Sequence, residues 1–400
     1  MKWSNLLWCA PFLSVAFGLG MARADDTIVD AVVNTESTEA QVVSLIGGDA
    51  ADSCSSKKDS CGSCLMFGPD DPYTLFAPSC SGINVGGWLQ VGYHNDLTPA
   101  SSSRGDLAAF NDLPDGLNIH QTWMYIEKQA DSGKSGWDFG YRADFLYGTD
   151  AQKTQAYGGT SWDNDWDHGV YGWAIPQLYG EIASGDLSII GGHFFAQFGH
   201  EGVAATDNFF YSRSLTMVNS EPRTHTGILA TYQVNDVMEV YGGWSAGWDT
   251  GFEMFGNGSS FMGGISMALM DNVNFKYVTT VGNFGARGDE GYSHSIVFDV
   301  QLSDRLNYVI QSDLLSIGET GEDDTGINQY VIYTVNDCVA VGGRFEWWQN
   351  EGDDYFSATG GINIMPHANI MIRPEIRHTT SDVLIHDNVT NFGIDAIFTF

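Results

Sequence analysis

The sequence predicts an all-β chain whose main body is a transmembrane antiparallel β-barrel of about sixteen strands. A small Cys-containing extension precedes it. Three observations carry this. From residue 83 onward, apolar residues recur at alternate positions in repeating segments, and period two is strand geometry. Tight polar links alternate with long connections along the same region, as in a barrel with short periplasmic turns and longer outer loops. Several segments carry ionisable residues at mid-strand, which a wet lumen tolerates and a packed sandwich core does not.

Residues 1–24 read as a signal peptide. Lys2 precedes an apolar run from Leu6 to Met21, and Ala22-Arg23-Ala24 supplies a small-x-small cleavage site. Export to the outer membrane is the expected destination. The whole chain carries a net charge of −33, and losing Lys2 and Arg23 makes the remainder more acidic still. Such a chain does not attract nucleic acid electrostatically.

Residues 25–82 read as an acidic periplasmic extension, partly disordered. Cys54, Cys61, Cys64 and Cys80 crowd into it, while Cys338 stands apart in the barrel region. An even local set in an exported protein points to disulfides, with the pairing open. The Cys61-Gly-Ser-Cys64 spacing also suits zinc or a redox pair, but no supporting His or βαβ pattern accompanies it.

Residues 83–400 form the barrel. The expected strands are 83–94, 117–130, 137–147, 175–184, 187–198, 224–234, 238–249 and 260–270. Then come 273–283, 292–302, 306–317, 326–335, 338–350, 357–365, 368–380 and 391–400. In 137–147, Trp137, Phe139, Tyr141 and Phe145 oppose Asp138, Arg142 and Asp144. In 368–377, Ile370, Ile372 and Ile376 oppose Arg373, Glu375 and Arg377. In the last strand Phe392, Ile394, Ala396, Phe398 and Phe400 share one face, and Ile397 is the exception. The dipeptides at 185–186, 235–236, 271–272, 303–304, 336–337 and 366–367 are expected tight turns. An even strand count returns both barrel ends to the periplasmic side. Aromatic content of 13% and 48 Gly agree with aromatic girdles and a glycine-rich wall. No run of about 18 apolar residues follows the signal, so membrane helices are not expected.

About sixteen strands enclose enough space for an aqueous channel, where eight would be filled by side chains. The inward set Arg142, Asp144, Arg344, Glu346, Arg373, Glu375 and Arg377 then lines a pore, or forms ion pairs that hold the wall. The connection 199–223 is the candidate constriction, with His200, Glu201, Asp207, Arg213, Glu221 and Arg223 beside Phe209, Phe210 and Tyr211. A long loop folded inward narrows a barrel, and its charges set selectivity; an exposed rim loop or a contact to a neighbouring protomer is the plainer reading. Acidic runs at 163–167, 319–324 and 351–354 could meet Ca²⁺ but lack the spacing of a known calcium loop. No hydrolase, zinc-protease or phosphate-loop motif is present. An enzyme is therefore not expected, nor any cofactor or metal.

Several runs resemble the OmpL-like β-barrel porin family of planctomycete-type bacteria. They are Ile83-Asn-Val-Gly-Gly-Trp88, Tyr141-Arg-Ala-Asp-Phe-Leu-Tyr-Gly-Thr-Asp-Ala151, Gly192-His-Phe-Phe195 and Asn208-Phe-Phe-Tyr-Ser212. Glu221-Pro-Arg-Thr-His-Thr-Gly227 and Gly243-Trp-Ser-Ala-Gly-Trp-Asp-Thr-Gly-Phe-Glu253 complete the set. The resemblance implies a porin; the width of the expected barrel points to passive diffusion of small solutes or ions. The expected partners are outer-membrane lipid, the barrel-assembly machinery at the aromatic C-terminus Phe400, and further copies of the chain in a trimer. The competing reading is a structural or adhesive barrel tethered to the cell wall through residues 25–82.

Overall fold

The computed structural model describes residues 72–76, 81–95, 108–131, 133, 136–159, 162–384 and 388–400. The signal segment 1–24, nearly all of 25–82, and Cys54, Cys61, Cys64 and Cys80 lie outside the described residues.

The strands are β1 (Ile83–His94), β2 (Asn118–Lys128), β3 (Asp138–Gly148), β4 (Asp167–His168), β5 (Tyr171–Ala174) and β6 (Leu178–Ser184). They continue as β7 (Leu187–Phe195), β8 (Thr224–Asn235), β9 (Met238–Trp248), β10 (Ser259–Met270), β11 (Val273–Asn283) and β12 (Gly291–Ser303). The last six are β13 (Leu306–Ile317), β14 (Glu322–Asn336), β15 (Val339–Asn350), β16 (Asp353–His367), β17 (Ile370–Thr380) and β18 (Asn388–Thr399). Two short helices, α1 (Ala151–Thr154) and α2 (Leu215–Asn219), lie in connections.

Each wall strand pairs antiparallel with its chain neighbour, and β1 pairs with both β2 and β18. The sheet therefore closes on itself, leaving no edge in lipid. β4 and β5 form a small hairpin beside β3, so the wall itself has sixteen strands. At the seam Trp88 lies opposite Thr399 and His94 opposite Gly393, and Gly87 and Phe400 exchange backbone hydrogen bonds at 2.9 and 3.1 Å.

The alternation sorts the faces as expected. Phe139, Phe145, Ile376, Phe392, Ile394 and Phe398 point outward and are exposed, whereas Asp144, Arg373, Asp395 and Ile397 are buried inside. Ile397 breaks the polar pattern because the lumen holds an apolar cluster there. In it Trp88, Trp123, Met371 and Ile397 pack with Val203, Ala204 and Ala205, and the Trp88 and Trp123 rings stack 4.7 Å apart.

Four expectations need correction. Pro366-His367 is not the turn: β16 runs through both, and Ala368-Asn369 makes the link. A register irregularity between Ile364 and His367 accommodates the proline, which cannot donate to the ladder. The expected loops 318–325 and 351–356 shrink to residues 318–321 and 351–352, because β14 and β16 begin earlier. Glu351 and Gly352 take φ of 50° and 98°, the left-handed pair that a two-residue hairpin turn requires. The strand expected at 175–184 is interrupted around Pro176. Finally, Cys338 does not stand alone: it is disulfide-bonded, and its partner sulfur lies outside the described residues. Nearby, Asn369 clasps the segment before the barrel, accepting from the Tyr73 N–H at 2.6 Å and donating to the Tyr73 carbonyl at 2.8 Å.

Candidate functional site

The connection 196–223 between β7 and β8 folds into the barrel. Glycines on the inner face of the wall make room for it. A Cβ at Gly342 would come within 2.5 Å of the Phe209 ring, and one at Gly393 or Gly92 within 2.8 Å of Tyr211. Gly361 likewise faces Phe210, and Gly326 faces Thr216. The Asn208-Phe-Phe-Tyr-Ser212 run is thus seated in a glycine-lined strip of β1, β14, β15, β16 and β18.

Charged wall residues then lock the loop by its backbone. Arg373 holds Asp395, its register partner, at 3.0 and 2.5 Å and donates to the Ala205 and Asn208 carbonyls. Glu375 accepts from the N–H groups of Tyr211 at 2.9 Å and Ser212 at 3.2 Å. Arg344 donates to Glu346 and Glu201, both at 2.7 Å, and to the Ser212 carbonyl at 2.8 Å. Glu346 in turn accepts from Leu215 N–H at 2.7 Å, while Arg377 donates to the Arg213 carbonyl at 2.9 Å. Gln121 grips the loop tip through Ala205 N–H and the Val203 carbonyl. Burial raises the proton affinity of the Glu201 carboxyl, but the Arg344 charge and the Ser214 N–H outweigh it and hold it below the usual carboxylate range. Low surrounding dielectric makes such charge-assisted bonds strong and costly to break.

Five of the seven expected lumen residues are therefore buried beneath the loop: Arg344, Glu346, Arg373, Glu375 and Arg377. The other two, Arg142 and Asp144, form a separate group on β3, where Arg142 bonds Asp144 at 2.8 Å and Glu127 at 3.0 Å. Of the loop residues, Glu201 and Arg213 face the wall or the loop itself. Arg213 caps the Gly202, Val203 and Tyr211 carbonyls and lies over the Phe110 ring. Arg223 also lies over the Phe110 ring. His200, Asp207, Glu221 and Arg223 line a recess between the loop and β11–β12, together with Lys276 and Asp299. Sequence reading overlooked Lys276, although a lone lysine at inward parity in the apolar strand β11 was a readable signal. It also overlooked the inward glycines, whose signal was their shared parity with Arg344, Glu375 and Asp395.

Known structures share this architecture. DcaP, an outer-membrane channel of Acinetobacter baumannii, superposes with a TM-score of 0.56 at 10% identity, covering 80% of this chain and 99% of that one. The trimer form of OmpT, an outer-membrane protein of Vibrio cholerae, gives 0.53 at 10% identity, with the same two coverages. An anion-selective porin from Comamonas acidovorans gives 0.52 at 10% identity over 80% and 99%. At these identities the likeness concerns the fold alone. No curated protein sequence matches the chain. Residues 82–400, the entire barrel, match the family described as "Putative beta-barrel porin-2, OmpL-like", and the chain belongs to that family of outer-membrane porin-like barrels.

Proposed function

We propose that the barrel is a water-filled channel for passive diffusion of small hydrophilic solutes or ions, narrowed by the loop at 196–223. The observation that carries this reading is how the loop is held. Arg344, Glu346, Arg373, Glu375 and Arg377 all fasten it to one side of the wall, and a recess lined by charge of both signs remains on the other side. A loop serving only as rim decoration needs no such anchorage. Fixed charges at a low-dielectric constriction focus the field on passing ions. Asp207, Lys276 and Asp299 are the groups proposed to act there.

Single-channel recording in planar bilayers tests the reading. Discrete, reproducible conductance steps from the purified full-length protein are expected. A folded barrel that inserts without conducting would overturn it. The tethered, structural reading would then take its place, since Asn369 clasps Tyr73 of the preceding segment. We further propose a homotrimer in the membrane, a form that OmpT of Vibrio cholerae also takes, and recognition of Phe400 by the assembly machinery.

A further inference from the structure

The inner wall pairs most of its carboxylates with basic groups. Glu201 and Glu346 meet Arg344, Asp395 meets Arg373, and Asp144 meets Arg142. Glu375, lacking a close arginine, receives two backbone N–H groups. Glu221 and Asp313 form no ion pair among the described residues, yet both are buried. They are held together by a single amide. Gln311 donates from Nε2 to Glu221 at 2.6 Å and to Asp313 at 2.7 Å. The His200 N–H donates to Gln311 Oε1, so the amide cannot turn over without losing that bond.

Three buried oxygens on neighbouring strands of this wall have no hydrogen-bond partner. Asp313 Oδ1 is one, and Ser295 Oγ and Asn328 Oδ1 are two more. Ser295 and Asn328 are wholly buried. Ser295 stands opposite Asp313 in the β12–β13 register, and Asn328 opposite Gln311 in the β13–β14 register. The Ser295 hydroxyl lies beside the Asp313 carboxyl without reaching hydrogen-bond geometry. A pair of buried carboxylates that forms no ion pair among the described residues also calls for compensating charge beyond what the nearby Lys276 brings to Glu221.

We propose that Glu221 and Asp313, with Ser295 and Asn328 as neutral oxygen donors, form a site for a hard divalent cation, Ca²⁺ in the first instance. Such ions take oxygen ligands from carboxylates, amides and hydroxyls, and two carboxylates match the charge of one divalent ion. The ion enters through the recess, which Glu221 lines. Because Glu221 belongs to the loop and the other three to β12, β13 and β14, the ion ties the C-terminal stem of the loop to the wall. The proposal does not depend on whether the barrel conducts.

The test uses the full-length protein in detergent after EDTA treatment. Calorimetric titration with CaCl₂ should show one saturable site more in the parent than in Asp313→Asn or Glu221→Gln. Asp353→Asn, beside the turn between β15 and β16, should keep the parent's stoichiometry. Ca²⁺ should also raise the unfolding temperature of the parent and leave that of Asp313→Asn unchanged. Ser295→Ala, which keeps both carboxylates, should weaken the same site roughly tenfold, so the proposal stays testable if a carboxylate variant misfolds. Equal stoichiometry in parent and Asp313→Asn would overturn the proposal. So would a parent whose stability follows pH but ignores Ca²⁺, since a shared proton would then supply the compensating charge.

Discussion

Arg344 and Glu201 stand 143 positions apart in the chain and meet at 2.7 Å, both side chains buried. The pair joins a wall strand to the loop that crosses the lumen. The guanidinium also donates to Glu346, to the carbonyl and hydroxyl of Ser212, to the Arg213 carbonyl and to the Thr359 hydroxyl, and the Phe210 ring lies 5.0 Å from it.

Arg344→Met should therefore release the loop without dissolving the barrel. Removing it leaves Glu201 buried without its basic partner and Glu346 with only Arg377 at 3.4 Å, a cost of about 3–5 kcal/mol. Limited proteolysis at 196–223 should become faster, and any single-channel conductance larger. Parent-like protease resistance would show that the ion pair does not hold the loop.

Gly342→Val addresses the same seat from the wall. A side chain there meets the Phe209 ring, and the rigid β-branched group cannot turn aside. The loop should lift off β15, with conductance noise and proteolytic sensitivity both rising. Gly360→Val, on the outer face of β16 with nothing within 4 Å, is the matched control and should leave both at parent values.

Outward and inward positions should respond differently to charge. Ile372→Arg places a cation in hydrocarbon at about 2–4 kcal/mol near the midplane, so assembly into the heat-modifiable barrel should fail. Glu375→Gln should still assemble, but with a loosened Tyr211–Ser212 stretch. Equal yields of folded barrel would mean the two faces of β17 are misassigned.

Charge reversal in the recess tests selectivity directly. Asp207→Lys with Asp299→Lys should shift the reversal potential towards anion permeation, and Lys276→Glu should shift it the other way. Asp353→Lys with Asp354→Lys should leave it near the parent value. If the recess variants also leave it unchanged, the solute path runs elsewhere.

Cys338 should migrate as a cross-linked species. Peptide mapping without reductant should find it joined to another cysteine of the chain, and Cys338→Ser should abolish that peptide. Recovery of Cys338 as a free thiol from oxidised protein would refute the bond.

The wall was legible in the sequence because each strand carries its own alternation, as the split between Ile372 and Arg373 shows. Boundaries were less so. Pro366 read as a turn because proline breaks ladders, and only the irregular register of β16 against β17 reveals that it is housed within a strand. The acidic residues at 322–324 and 353–354 read as loop from their charge, yet strands that rise beyond the membrane carry such residues freely. For the site, Phe209, Phe210 and Tyr211 and the wall arginines were each visible. Their mutual contact was not, because it joins residues more than a hundred positions apart. Without that contact, Arg344, Arg373 and Arg377 looked like a lumen-facing field, when burial beneath the loop gives them backbone carbonyls as partners.

The tip of the loop rests across the closing seam. Ala205 is held by Gln121 of β2 and Arg373 of β17, and Arg373 is itself fixed by Asp395 of β18, which also binds Gln90 of β1. The first strands and the last ones must therefore already be joined before the tip has anywhere to settle. During biogenesis the loop is made midway through the chain but has to wait, and its docking reports that the circle is complete. An unfinished barrel leaves the loop undocked, so its tip reaches this seat only after the wall has closed.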